Sequence, residues 1–156
     1  MNMKNGLQQS KKLTKLNSEF LKIYHQSIRS LRRKTHELLS HVYSDLPHVM
    51  CLSELHLKAS ELSLVNIESY TIKAQFSSAL HEGGGVITYV HNSLKFIYID
   101  LSEYCQEKNI EICVIKIKSN SLSSCILALY RAPSGNFAYL LQNLDNILHS
   151  LYSPSI

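Results

Sequence analysis

Hydrophobic residues fall along this chain in short runs, some alternating and some continuous, with longer stretches at helical spacing. Leu21-Lys22-Ile23-Tyr24-His25-Gln26 alternates apolar and polar side chains, the period of a strand with one covered face. Ser30 then stands where an N-cap is needed. Leu31, Leu38, Leu39 and Val42 share one face of a helix that Pro47 stops. Val49-Met50-Cys51-Leu52 is short and apolar throughout, which predicts a buried strand leading directly into Ser53 and Glu54.

The same reading predicts strands at residues 70–76, 86–90, 95–101, 112–117 and 125–130, with a turn at His91-Asn92-Ser93. Lys116 and Lys118 alternate with Ile115 and Ile117, so that strand has a wet face. Cys125 to Leu129 is apolar at every position, which predicts a central strand covered on both sides, and Pro133-Ser134-Gly135 breaks it. The last segment reads as a helix. Asn136 is its N-cap, Phe137, Leu140, Leu141, Leu144, Ile147, Leu148 and Leu151 form its apolar stripe, and Pro154 ends it. Strand, helix, a run of strands and a helix suit a layered α/β arrangement, with a mostly antiparallel sheet and covering helices.

Composition narrows the class. A chain of 156 residues with 45% hydrophobic content builds one domain with a sizeable core. The organisation expected is a flexible basic leader at 1–20 carrying Lys4, Lys11, Lys12 and Lys15, a domain at 21–153, and a tail at 154–156. The leader has no secretory apolar core, and no stretch approaches the ~20 apolar residues of a membrane helix. The expectation is a soluble protein inside the cell, cytoplasmic or nuclear, with no membrane partner. The four cysteines lack CxxC spacing, and Cys51, Cys113 and Cys125 sit in apolar runs, which predicts reduced, buried thiols. A net charge of +4 suits an anionic partner such as DNA without requiring one.

Few residues invite chemistry. Glu54 follows a buried strand at the end where open sheets place functional groups. It reads either as a carboxylate for a hard cation or as an ordinary strand-end glutamate. Tyr130 and Arg131 close the 125–130 strand, as phosphate donors or as a rim pair reaching water. Gly83-Gly84-Gly85 precedes a strand and lacks the Lys-Ser/Thr of a phosphate loop, so it reads as a flexible entry. The eight histidines show no HxH or HExxH spacing, and most read as surface or rim residues.

Four motifs in order carry a family resemblance: LKIYHQSIRSLR at 21–32, PHVMCLSELHL at 47–57, GGGVITYVHNSLKF at 83–96 and CILALYRAPSGNF at 125–137. Together they resemble the endonuclease/exonuclease/phosphatase superfamily, with the nearest likeness to the apurinic-type endonuclease domains of insect non-LTR retrotransposons. The resemblance implies a four-layered α/β sandwich that hydrolyses phosphodiesters with Mg²⁺ or Mn²⁺. Glu54 would be the metal carboxylate, with Ser27 at the position of a family asparagine that serves the metal. Tyr130 would sit near the scissile phosphate, supported by Arg131. The sequence departs from the pattern, for it holds neither a Gly-Asp-x-Asn strand end nor an Asp-His pair.

The expectation is therefore the N-terminal half of such a sandwich: a truncated, inactive relative of DNA-cleaving endonucleases. The alternative is a non-catalytic remnant that binds nucleic acid or protein. With the sheet of the other half missing, an apolar sheet face and an open edge are expected to be exposed. That would make the product marginally stable and prone to self-association.

Overall fold

The computed structural model describes residues 20–76, 83–118 and 123–153. The basic leader up to residue 19, His81, and the tail with Pro154 lie outside the described residues.

Seven strands form two sheets. The first contains β1 (Ile23–Ser27), β2 (Val49–Ser53), β3 (Tyr70–Gln75) and β4 (Val86–His91) in the order β1-β2-β4-β3. β1 and β2 run parallel, joined through α1 (Leu31–Asp45), and the other pairings are antiparallel. The second sheet contains β5 (Phe96–Ile99), β6 (Glu111–Lys118) and β7 (Ser123–Tyr130) in that order, all antiparallel. α2 (Phe137–Tyr152) follows.

The period of two sorts these side chains into three apolar layers. Met50, Leu52, Ile87 and Tyr89 face α1, where Leu31, Leu38 and Val42 meet them. Val49, Cys51, Val86 and Val90 face the other way, onto Cys113, Ile115, Ile117, Ile126 and Ala128 of the second sheet. Ile112 and Val114 point outward beneath Leu140 and Ile147 of α2. The stack is helix, sheet, sheet, helix. The exposed sheet face expected from the sequence is thus corrected, because β5, β6 and β7 supply the second sheet.

Other expectations shift for identifiable reasons. β7 is not the central strand: it lies at the edge of its sheet, with only Ile126 and Ala128 buried. β6 is central and buried from Glu111 to Ile115, so its wet face is confined to Lys116 and Lys118. An all-apolar run reports low polarity, not the number of neighbours. Cys125 is exposed for the same reason, whereas Cys51 and Cys113 are buried free thiols. α2 buries Leu140 and Ile147 but leaves Phe137, Leu141 and Leu148 exposed, so its apolar stripe is wider than its contact. Asn136 caps α2 as expected, accepting the Tyr139 N–H at 3.0 Å. Ser30 holds the N-cap position of α1 in a left-handed conformation and makes no side-chain cap bond. A 3₁₀ segment at Ala59–Val65, which periodicity did not reveal, accepts the buried Tyr89 hydroxyl at the Val65 carbonyl, 2.6 Å away.

His48 and His91 are buried, exceptions to the expectation that most histidines lie at the surface or rim. His48 Nδ1 accepts the Lys22 N–H at 2.9 Å, and the His91 ring stands edge-on to Tyr70. Burial lowers both pKa values, reinforced by Lys22 beside His48 and by His48 beside His91. Both rings are therefore neutral in the fold at neutral pH and gain protons more readily once unfolded.

The packing makes two predictions. Ile115→Ala, between the sheets, is expected to cost about 2–5 kcal/mol in urea denaturation, where an exposed sheet face would make it nearly neutral. Stability is expected to be flat above the ordinary histidine pKa of about 6.5 and to fall as pH drops below it. His91→Phe should flatten that slope, as read from urea midpoints between neutral and mildly acidic pH.

Candidate functional site

The parallel pair β1–β2 ends with Ser27 and Ser53 in register, so Ser27 and the following Glu54 leave the sheet side by side. β7, in the facing sheet, ends at Tyr130. The sandwich brings these strand ends together. Ser27 Oγ donates to Glu54 Oε2 at 2.8 Å, and Tyr130 OH donates to Oε1 at 3.1 Å. Each carboxylate oxygen is thus held by a hydroxyl, one from each sheet.

The backbone around the carboxylate is unusual. Glu54 has φ +55°, and Arg29, Ser30 and His56 also adopt positive φ. Non-glycine residues there cost roughly 1–3 kcal/mol each and persist only where surrounding bonds over-determine them. Those bonds are present: Ile28 N–H donates to Ser53 O at 2.9 Å, Ser30 N–H to Glu54 O at 3.1 Å, and Leu55 N–H to Gly84 O at 2.8 Å.

Electrostatics follow from the donors. The Ser27 bond lowers the Glu54 pKa most; burial opposes it, and the Tyr130 bond and the Arg29 charge add smaller lowering effects that leave the net shift downward. Glu54 is an anion at neutral pH. The Tyr130 phenol is pushed up to about 12 by burial and by its bond to Glu54, so it stays protonated and donates. Arg29 Nε lies 3.4 Å from Glu54 Oε2, with its side chain 79% exposed.

Among the candidates named from sequence, Ser27, Glu54 and Tyr130 share one cluster and Arg131 does not. The Arg131 guanidinium donates to the carbonyls of Ala132 at 3.0 Å and Gly135 at 2.8 Å, and packs over the Phe137 ring. It staples the loop that enters α2. Two residues escaped notice. Arg29 lies within the first motif, two positions beyond Ser27, and its location was available from that motif alone. Glu111 opens β6 as a buried acid, and nothing local in the sequence marks it.

A cavity of about 180 Å³ adjoins the cluster, lined in part by Gly83, Gly84, Lys108, Glu111, Tyr130 and Ser134. Among the described residues no group of three His, Cys, Asp or Glu side chains could hold a metal ion. Among them too, no helix is long and apolar enough to cross a membrane.

Solved structures share this fold. The AP endonuclease LMAP from Leishmania major matches with a TM-score of 0.61 and 18% identity, over 87% of this chain and 50% of that one. The endonuclease domain of TRAS1, a telomere-specific non-LTR retrotransposon, matches with a TM-score of 0.62 and 11% identity, over 85% of this chain and 54% of that one. The chain spans about half the length of these structures, and at such identities the likeness is one of fold. No family model and no curated protein matches the sequence.

The hydroxyl donors can be tested separately. Ser27→Ala is expected to raise the Glu54 pKa most and Tyr130→Phe less, both read by ¹³C NMR titration of the Glu54 carboxyl. Because folding lowers this pKa, the stability Glu54 contributes is complete above the unfolded value and is lost as pH falls through the folded one. Either variant should shrink that loss.

Proposed function

We propose that this chain, which has the fold of the endonuclease/exonuclease/phosphatase superfamily, binds a divalent cation and a nucleic-acid phosphate at the Glu54–Tyr130 cluster. It is read as a relative of retrotransposon-type DNA endonucleases that does not by itself complete a hydrolytic site. The observation that carries this reading is the meeting of Ser27, Glu54 and Tyr130 from strand ends of two different sheets.

The donor set fits a hard cation. Mg²⁺ commonly takes one or two carboxylates and fills its remaining positions with water and phosphate oxygens. Glu54 supplies an ionised carboxylate and Ser27 a hydroxyl oxygen beside it. Mg²⁺ or Mn²⁺ bound there would neutralise charge developing on a phosphate. The chain's own residues do the positioning. Ser27 and Tyr130 hold the carboxylate in one orientation. Tyr130, protonated throughout the neutral range, carries a single phenolic proton and donates it to a phosphate oxygen only by releasing Glu54 Oε1. Arg29 is exposed and free to turn from Glu54 toward an incoming phosphate.

Hydrolysis needs more than this. A general base must lie within hydrogen-bond reach of the attacking water. The sequence holds no Asp-His pair and no Gly-Asp-x-Asn strand end, and no further carboxylate or imidazole joins the described cluster in a metal-binding group. DNA is the proposed phosphodiester because the two structures described above are named as endonucleases, one of them from a retrotransposon.

Titration with Mn²⁺ followed by electron paramagnetic resonance tests the reading. The wild-type chain is expected to bind the ion, and Glu54→Ala to weaken binding by at least about tenfold, or ~1.4 kcal/mol. Plasmid DNA should bind in a salt-sensitive way and remain un-nicked in Mg²⁺. Equal Mn²⁺ affinity in the two proteins would sink the metal assignment. Nicking that Glu54→Ala abolishes would show a complete enzyme instead.

A further inference from the structure

Glu111 lies outside the hydroxyl–carboxylate cluster, yet it is 3% exposed and the only buried acid among the described residues. Placing a carboxyl in such a position is costly unless hydrogen bonds hold it there. Its side chain reaches from the first residue of β6, in the second sheet, to the loop that enters β4 in the first. There it accepts the Gly85 N–H. Gly84 packs so closely that a Cβ on it would meet Glu111 Oε2 at 2.7 Å and Oε1 at 2.8 Å. Both glycines have positive φ, near +83° and +85°. A glycine backbone loses more freedom on ordering than any other, so a fixed anchor matters here.

The loop carries this anchor onward. Gly84 O accepts the N–H of Leu55, the residue after Glu54, at 2.8 Å. In the other direction Glu111 stands directly opposite Tyr130 in the β6–β7 register, and both line the same cavity. One buried carboxyl therefore touches the support of Glu54 and neighbours its partner Tyr130.

We propose that Glu111 is a positioning residue: by clamping the Gly84-Gly85 loop to β6 it fixes, through Leu55, the left-handed backbone at Glu54 and so aims that carboxylate at Tyr130. The assignment rests on the reading of Glu54 as the cation ligand. Its effect is on the cluster's geometry, and Glu111 itself touches neither phosphate nor cation.

The test uses the whole 156-residue chain with two readouts, amide hydrogen exchange at Gly85 and Leu55 and affinity for Mn²⁺ alone. Glu111→Ala is expected to speed exchange at both amides relative to Val114 in β6, and to weaken Mn²⁺ binding, each by about tenfold, the scale of one lost hydrogen bond. Glu111→Gln keeps an oxygen that accepts from Gly85 and should stay within about threefold of wild type. Gly84→Ala, which drives the loop off an intact Glu111, should reproduce Glu111→Ala, and it decides the matter if Glu111→Ala does not fold. Unchanged Leu55 exchange or unchanged Mn²⁺ affinity in the disrupted variants overturns the proposal, as does a Glu111→Gln protein that behaves like Glu111→Ala. If wild type binds no Mn²⁺, the metal reading fails by itself, and Leu55 exchange alone then decides whether Glu111 positions the loop.

Discussion

The hydrogen bond from Tyr130 to Glu54 crosses from one sheet to the other, and the site exists only while the two sheets keep their mutual register. Its two residues stand 76 positions apart in sequence. Local structure cannot bring them together. The apolar layer between the sheets does so, with Val49, Cys51, Val86 and Val90 set against Cys113, Ile115, Ile117, Ile126 and Ala128. Because β-strand side chains alternate, a one-residue slip of β7 would turn Tyr130 to the opposite face and move Ile126 and Ala128 out of the core. Core packing and site geometry are therefore the same constraint observed at two places.

That coupling explains which parts of the molecule were legible from sequence. Strand positions could be read from alternation, because the period of two is a local property. β2, β4 and α2 came out within a residue or two of their predicted spans. Which strand neighbours which is not local. The apolar run at 125–129 looked central and belongs to an edge strand, because half-buried positions accept the same residue types as buried ones. The second sheet was expected from elsewhere although its strands had each been recognised, since alternation says nothing about how strands are distributed among sheets.

The site divides along the same line. Glu54 and Ser27 end adjacent parallel strands, and both were available from motifs that sit on those ends. Tyr130 was available from a third motif, but its meeting with Glu54 depends on the sandwich. Glu111 carries no signal of its own. A glutamate opening an isoleucine-rich strand resembles a solvated strand end, and only the loop packed against it shows that it is enclosed. Arg131 shows the converse. It stands beside a site residue in sequence, but alternation and a tight loop turn its guanidinium toward the carbonyls of residues 132 and 135.

Strength and mobility are unevenly shared among the partners of Glu54. The Ser27 and Tyr130 bonds lie at ordinary hydrogen-bond lengths and come from strand ends whose backbones are fixed by the sheets. Arg29 sits farther away, on a residue with positive φ and a largely exposed side chain. Exposed ion pairs contribute only ~0–1 kcal/mol, because water screens the attraction and a long side chain loses freedom in making it. The carboxylate's orientation is consequently set by the two hydroxyls, and the guanidinium follows it. A group that approaches Oε2 displaces Arg29 readily, but the Ser27 bond on that oxygen, like the Tyr130 bond on Oε1, is anchored in a strand end and holds the carboxylate in place.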